Sequence, residues 1–172
     1  MLTTIEPGNS RWLPGAPQAV EIPLIYENLA SALDYGGEVA LTWNAMPRWR
    51  IVPNYSFLHM NVRVDPQSRD TTSIGAAICA PSHMAGVRSL VDLTRRVEFD
   101  QWLSWTGRLP GTAVAGYARL DARIARRFGE SVEISVGGEN LLRPGTVQFG
   151  DFNRVVSTAI QRSVYGKIQW TF

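Results

Sequence analysis

Hydrophobic and polar residues alternate along much of the chain, a pattern typical of β-strands. The alternation is clearest over 38–45, 49–57, 97–106, 114–128, 131–139 and 162–172. In the last of these segments Val164, Ile168 and Trp170 share one parity, whereas Lys167 and Gln169 share the other. Helical spacing of apolar residues is hard to find. The pattern therefore predicts an all-β protein.

The connections between these segments alternate in length. Short turns are predicted at 46–48, 94–96 and 129–131. Longer gaps lie at 64–84 and 143–161, and the brief gap at 109–113 occupies a long-loop position. Short turns on one side and longer loops on the other are typical of an antiparallel, up-and-down transmembrane β-barrel.

Alternation alone does not separate a soluble β-sandwich from a membrane barrel, because each has one apolar and one polar face. The positions of the aromatic residues favour the barrel. They cluster toward the two ends of the strands, as in the aromatic girdles at membrane–water interfaces, rather than at mid-strand, where a sandwich core is deepest. The girdle residues predicted in this way are Trp43, Trp49, Phe99, Trp105 and Phe128, with Tyr55, Phe57, Trp170 and Phe172 also near strand ends.

The polar parity carries charges that suit a barrel lumen, although a solvated sheet could carry them too. A simple hairpin around 108–113 places Glu98 opposite Arg123 and Asp100 opposite Asp121, and the next turn brings Arg119 near Glu139. Opposite charges on neighbouring strands help to fix the register. The predicted lumen charges are Glu98, Asp100, Arg119, Asp121, Arg123, Glu133 and Glu139.

Composition excludes several classes of function. The net charge is only +2 and the basic residues are dispersed, which gives no support to nucleic-acid binding. Cys79 is the only cysteine, and His59 and His83 lack ligand-spaced partners, so no metal site is expected.

Catalytic motifs are also missing. The carboxylate pairs Asp100 with Asp121 and Glu133 with Glu139 belong to the regular polar parity of their strands, and no phosphate-binding loop is present. We expect neither enzymatic activity nor a cofactor. The N-terminus does not have the pattern of a secretory signal, and no apolar run reaches the roughly 18 residues of a transmembrane helix.

Three stretches resemble the TonB-dependent outer-membrane receptors. "YENLASALDYGGEVALTWNAMPRWRIVPNYSFL" (26–58) is similar to the Asn…Gly-Val-Glu strand, periplasmic turn and Tyr-Ser strand of that family. "APSHM" (80–84), "LDARIARRFGESVEISVGGENLL" (120–142) and "RSVYGKIQWTF" (162–172) resemble its terminal strands, including Asn-Leu-Leu before the last long loop and the closing aromatic residue. Gly37 replaces the usual Val, and Pro53 inside a strand puts local pairing there in doubt.

The resemblance implies that residues 1–172 are the C-terminal part of a receptor barrel, about eight strands of about 22. It places Met1 inside a strand, followed by a loop at about 6–19, and implies that the plug domain, TonB-binding segment and signal peptide lie outside this chain. The intact parent would import a ferric siderophore or a similarly large nutrient across the outer membrane.

The resemblance also implies the partners. Trp170 and Phe172 would form the assembly signal read by the barrel-insertion machinery, outer-membrane lipid would surround the strands, and TonB would act only through the missing N-terminal region. Two alternatives stay open from the residues themselves: a stand-alone small β-barrel that binds a ligand, and a soluble all-β structural domain.

Overall fold

Antiparallel strands account for nearly all regular structure in the computed structural model, which describes residues 2–14, 19–70, 79–112, 114–149 and 158–172. Parts of the predicted loops therefore lie outside the described residues, namely 15–18, 71–78, 113 and 150–157, as does Met1. No helix in the described ranges is long and apolar enough to cross a membrane. The all-β prediction is confirmed.

The strands have the following bounds. They are β1 Leu2–Pro7, β2 Arg11–Trp12, β3 Val20–Glu21, β4 Leu24–Ala40, β5 Trp43–Met46, β6 Trp49–Val64, β7 His83–Thr94, β8 Val97–Thr106, β9 Tyr117–Phe128, β10 Val132–Glu139, β11 Gly145–Phe149, β12 Thr158–Gln161 and β13 Ser163–Trp170.

One large sheet contains all the long strands in up-and-down order. The order is β1-β4-β6-β7-β8-β9-β10-β13, and β5 continues β4 along the edge of β6. Two small hairpins, β2–β3 and β11–β12, project from the long loops. In the described residues β1 pairs only with β4 and β13 only with β10, so the sheet does not close on itself. The sheet thus has eight strands when β4 and β5 are counted as one, in agreement with the sequence prediction of about eight.

The three short turns also occur where they were predicted. They connect β5 to β6, β7 to β8 and β9 to β10. Gly129 adopts a positive φ of 64° in the last of them, a conformation that favours glycine. The turn before β8 is fixed by the amide of Arg96, which donates to the Thr94 hydroxyl at 3.1 Å.

Pro53 does not interrupt its own strand. The Leu41 amide donates to the Pro53 carbonyl at 3.0 Å, but proline has no N–H with which to return the bond. The interruption therefore falls on the partner, where Leu41 and Thr42 separate β4 from β5. The register continues across the gap, because Ala40 pairs with Asn54 and Trp43 with Ile51.

The strands are offset from one another in a regular way. The first residue of β6 is in register with the third of β8, and the first residue of β8 with the third of β10. The two series are Trp49–Val91–Phe99 and Val97–Arg126–Ile134. The offset is about one residue per strand. Each strand is therefore displaced by about 3.3 Å along its length relative to its neighbour, which lies about 4.8 Å away across the sheet. Strands tilted by about 35° therefore bring the three short turns to one height, and transmembrane barrels have a tilt of about 35–45°.

Neighbouring glycines of β4 give a direct test of this pairing. A Cβ on Gly36 would lie 2.3 Å from the Phe57 carbonyl oxygen, whereas a Cβ on Gly37 would meet nothing within 4 Å. We expect Gly36→Ala to destabilise the sheet by about 1–3 kcal/mol and Gly37→Ala to stabilise it by about 0.5 kcal/mol. Urea unfolding midpoints of the two variants should lie on opposite sides of wild type, and equal midpoints would contradict the pairing.

Candidate membrane-facing surface and polar network

The large sheet has two chemically distinct faces, which we call the apolar face and the polar face. The apolar face presents large hydrophobic side chains that are exposed rather than packed, among them Leu33 at 71%, Val164 at 72% and Ile168 at 73% of their full accessibility. Buried apolar residues in the described part of the chain are few: Ala30, Leu109, Val114 and Ala125. A sandwich would cover such a face with a second sheet, so the exposed face argues against the soluble all-β domain.

Charges are segregated between the two faces. From Ala30 to Trp170, each strand carboxylate of the large sheet has a register position on the polar face. The apolar face carries four basic residues in the same strands, His59, Arg63, His83 and Arg126. Uncompensated carboxylates are costly in hydrocarbon, so their exclusion is what a lipid-facing surface requires.

Aromatic residues form two groups on the apolar face. The first, which we call the rim belt, lies within a few residues of the short turns and the C-terminus: Trp43, Trp49, Phe99, Phe128 and Trp170. The second, the far belt, lies six to ten register positions beyond Trp49: Tyr35, Tyr55, Phe57 and Trp105. Tyr55 and Phe57 were predicted near a strand end, but β6 extends to Val64, so both lie in the middle of their strand. All five predicted girdle residues thus lie on this face near strand ends, and whether lipid surrounds them belongs to the proposal below.

Specific contacts hold the belts in place. In the rim belt the Trp49 indole N–H donates to the Ser89 hydroxyl at 3.0 Å. In the far belt Tyr35 packs against Phe57 at 6.2 Å between ring centroids, and against His59 at 4.8 Å. Phe57 lies eight positions beyond Trp49 in β6, which at 35° tilt is about 22 Å along the barrel axis. This distance is close to the height of the apolar band in outer-membrane barrels, about 25 Å.

The polar face carries a network of ion pairs on three adjacent strands. Arg123 in β9 reaches Asp100 at 3.2 Å and Glu98 at 4.0 Å in β8, and it also bonds Glu133 in β10. Arg127 bonds Glu98, and its Nε lies 3.4 Å from Glu133. We call these residues, with the three in the next paragraph, the charge network.

The upper part of the network is organised around Arg119. Its Nε lies 2.8 Å from Asp121, and its Nη2 lies 3.3 Å from Glu139, so the predicted contact between Arg119 and Glu139 is present. Five carboxylates face three guanidinium groups in the whole network, so two negative charges are in excess. All seven predicted lumen charges lie in this network, and its eighth member, Arg127, has the same parity in β9 but was not among them.

The predicted register between β8 and β9 was wrong by two residues. Asp100, not Glu98, is opposite Arg123, and Asp121 is opposite Trp102 rather than Asp100. The cause is the loop at 107–116, in which Val114 is buried and its carbonyl accepts from the Leu109 amide at 3.2 Å. Strand β9 consequently begins at Tyr117 instead of 114, and the centre of the hairpin moves by one residue.

An open cavity of about 390 Å³ lies over the charge network. Arg123, Arg119 and Glu139 line it, and at one side the guanidinium of Arg88 lies 4.8 Å from the Trp102 ring centroid. The carboxylate pairs considered for catalysis are engaged in these ion pairs. No group of three or more His, Cys, Asp or Glu suited to a metal occurs in the described residues.

Asn140 anchors the last long loop, and it lies in the "GGENLL" stretch that carried the resemblance. It is fully buried with a positive φ of 53°. Its amide N–H donates to Asp121 at 2.8 Å, its side-chain N–H₂ donates to the Ile160 carbonyl at 2.8 Å, and its Oδ1 accepts from the Thr146 hydroxyl at 2.8 Å. Asn140 therefore ties the β11–β12 hairpin to the top of the charge network.

A second loop folds over β1, at the end of the sheet far from the short turns. Glu6 is buried there and accepts from the Ser68 hydroxyl at 2.6 Å, and Asp70 accepts from the Ile5 amide at 2.7 Å. The Ser68 hydroxyl lowers the pKa of Glu6 despite the opposing effect of burial, and the Arg69 amide acts in the same direction. The carboxylate thus stays ionised and holds the loop against β1.

Comparison with known proteins identifies the architecture. No protein-family model matches the chain, and no curated protein matches it significantly. Among solved structures, the siderophore receptor PiuA from Acinetobacter baumannii superposes with a TM-score of 0.69 at 17% sequence identity. The match covers 86% of this chain and 23% of that receptor. The chain therefore has the fold of part of a receptor barrel, as the resemblance to TonB-dependent receptors implied.

Proposed function

We propose that this chain is part of the wall of an outer-membrane receptor barrel, whose complete form takes up a ferric siderophore or a similarly large nutrient. The observation that carries the proposal is the exposed apolar face with its two aromatic belts. It needs hydrocarbon about 22 Å thick to cover it, and the strand offset gives the tilt of a transmembrane barrel. The match to a siderophore receptor supports the same assignment and its transport class.

In this proposal the polar face lines the lumen. The charge network then lies on the inner wall, where aqueous surroundings or a folded plug can solvate its excess of carboxylates. The short turns face the periplasm and the long loops the cell exterior. The chain spans only 23% of the matched receptor, so a plug and a TonB-binding segment would come from outside these residues.

Partners follow from the same arrangement. Outer-membrane lipid would cover the apolar face, and the barrel-insertion machinery would bind β13. TonB would act only through a region outside residues 1–172. A closed eight-stranded binding barrel is less well supported, because β1 and β13 are not paired with each other in the described residues.

Tryptophan quenching by brominated lipids tests the proposal. Trp43, Trp49, Trp105 and Trp170 lie on the apolar face, and Trp102 lies on the polar face. Single-tryptophan variants refolded into phosphatidylcholine vesicles should show strong quenching at the first four positions and weak quenching at Trp102. A chain that folds cooperatively as a monomer without detergent, and is not quenched by vesicles, would exclude the membrane assignment.

A further inference from the structure

The β11–β12 hairpin is a separate element that stands on the end of the large sheet. Within the described ranges its two strands pair with each other and with no strand of that sheet. The described hydrogen bonds that join the hairpin to the end of β10 are made by the side chain of Asn140. Apart from its covalent links to β10 and β13, the position of the hairpin therefore depends on this residue.

Asn140 suits this role in both its side chain and its backbone. Its side-chain amide donates to the Ile160 carbonyl of β12 and accepts from the Thr146 hydroxyl of β11, each at 2.8 Å, so one planar group bonds both strands of the hairpin. Its φ of 53° is a conformation that asparagine adopts more readily than most residues. An ionised aspartate could not donate to the carbonyl, and glycine would accept the backbone conformation but make neither bond.

An ion pair of the polar face holds the backbone of Asn140. The Asn140 N–H donates to Asp121 Oδ1 at 2.8 Å, and the same oxygen accepts from Arg119 Nε at 2.8 Å. Arg119 Nη2 lies 3.3 Å from Glu139, the residue that precedes Asn140. The Arg119–Asp121 pair thus holds two successive residues at the end of β10. We call the series of contacts from Arg119 through Asp121 and Asn140 to the hairpin the relay.

The two ends of the relay differ in their access to solvent. Asn140 is fully buried and Thr146 is 3% exposed, whereas the side chains of Arg119 and Asp121 are 22% and 19% exposed. Both charged residues line the open cavity of about 390 Å³ over the charge network. Water, salt or a charged group in that cavity can therefore reach the ion pair, while the anchor of the hairpin stays closed to it.

We propose that Asn140 is a conformational latch that couples the charge network to the last long loop. The closed Arg119–Asp121 pair fixes Asn140, and Asn140 fixes the β11–β12 hairpin. When the pair opens, the hairpin leaves the sheet as a unit. The sheet itself stays paired, because the Leu141 amide still donates to the Leu120 carbonyl at 2.8 Å. The latch goes beyond the proposed function, since every contact in it lies within the chain and none requires a bilayer.

Amide hydrogen exchange of the chain folded in detergent micelles tests the latch. Asp121 and Glu133 form a matched pair, because both are carboxylates bonded by an arginine of the charge network and their side chains are 19% and 20% exposed. Of the two, Asp121 accepts from the Asn140 amide. We expect Asp121→Ala to speed exchange in β11 and β12 about tenfold relative to β6, and Glu133→Ala to leave this ratio unchanged. Equal ratios in the two variants would overturn the latch.

Two substitutions act on the hairpin end of the relay. Asn140→Gly keeps the positive φ and removes both side-chain bonds, whereas Thr146→Val removes one bond and tests the latch even where Asn140→Gly does not fold. We expect hairpin exchange to rise by more than about tenfold in the first variant and by about threefold in the second. An equal rise in β6 would assign Asn140 to the stability of the whole sheet, and the latch would be lost.

A double variant, Asp121→Ala with Thr146→Val, shows whether the contacts act in series. In a latch, the opening of either link releases the hairpin, so the double variant should exchange little faster than Asp121→Ala alone. A rise equal to the product of the two single effects would mean that the hairpin has two independent anchors. That result would refute the relay.

High ionic strength reports on the charge itself. Salt screens the ion pair, so it should speed hairpin exchange in the wild-type chain and have little further effect in Asp121→Ala. An equal response in both chains would show that the hairpin is held without the ion pair. These outcomes are separate from the membrane assignment. A chain that brominated lipids do not quench but that shows this pattern loses the barrel proposal and keeps the latch, and the reverse outcome loses only the latch.

Discussion

Replacing Arg123 with methionine is expected to destabilise the folded sheet by about 1–3 kcal/mol. The guanidinium bonds carboxylates on both neighbouring strands, Asp100 in β8 and Glu133 in β10, with Glu98 at 4.0 Å. Its side chain is 28% exposed, so solvent screens the pairs only in part. Methionine conserves much of the volume but leaves Asp100 without its described ion pair, and Glu98 and Glu133 with Arg127 alone.

The urea midpoint of the chain folded in detergent micelles, compared at constant slope, measures this loss. Arg50→Met is the matched control, because Arg50 lies on the same face and its removal uncovers no described ion pair. A triple variant that also carries Asp100→Asn and Glu133→Gln should recover part of the lost stability, since the repulsion is then gone. An Arg123→Met midpoint equal to that of Arg50→Met would show that the charge network contributes little to holding β8, β9 and β10 together.

Much of the large sheet could be predicted from the sequence, because its central strands alternate strictly and end in short turns. The alternation fails at the start of β4, where the register with β1 shifts between Leu2 and Thr4. An irregularity of that kind inverts the parity on one side of it, here the first residues of a strand that begins at Leu24. The part that was missed, 24–37, includes Tyr35 of the far belt and two adjacent glycines, which weaken the alternation.

The candidate site was predictable as a set of residues but not as a geometry. The strict alternation within β8, β9 and β10 places their charged residues on one face of each strand. That placement does not depend on how the strands are aligned with one another. Which carboxylate meets Arg123 does depend on register, and the buried Val114 inside the loop at 107–116 set it differently from a simple hairpin. Contacts between segments far apart in sequence, such as Ser68 with Glu6 of β1 across 62 positions, leave no local signal in the sequence.

Substituting both Trp170 and Phe172 with serine is expected to abolish most assembly into the outer membrane while leaving the isolated fold nearly unchanged. Phe172 is fully exposed and Trp170 is 70% exposed, and their described ring contact is with each other, edge to face at 6.3 Å. Exposed side chains of this kind contribute within about 0.5 kcal/mol to stability. The backbone of the last strand is held independently of them, because the Thr171 amide donates to the Ser131 carbonyl at 2.9 Å.

Loss of assembly without loss of stability would show that the two rings act as an assembly signal and are not needed for the fold. Val164→Ser is the matched control, since Val164 lies on the same strand and face and is 72% exposed. With the chain fused behind an export signal, the amount recovered in the outer membrane should fall sharply for the Trp170/Phe172 variant and stay near wild type for Val164→Ser. Refolding into detergent should be equal for both. A variant that assembles normally would show that β13 is not read through its aromatic end, and one that also fails to refold in detergent would assign the two rings to the fold itself.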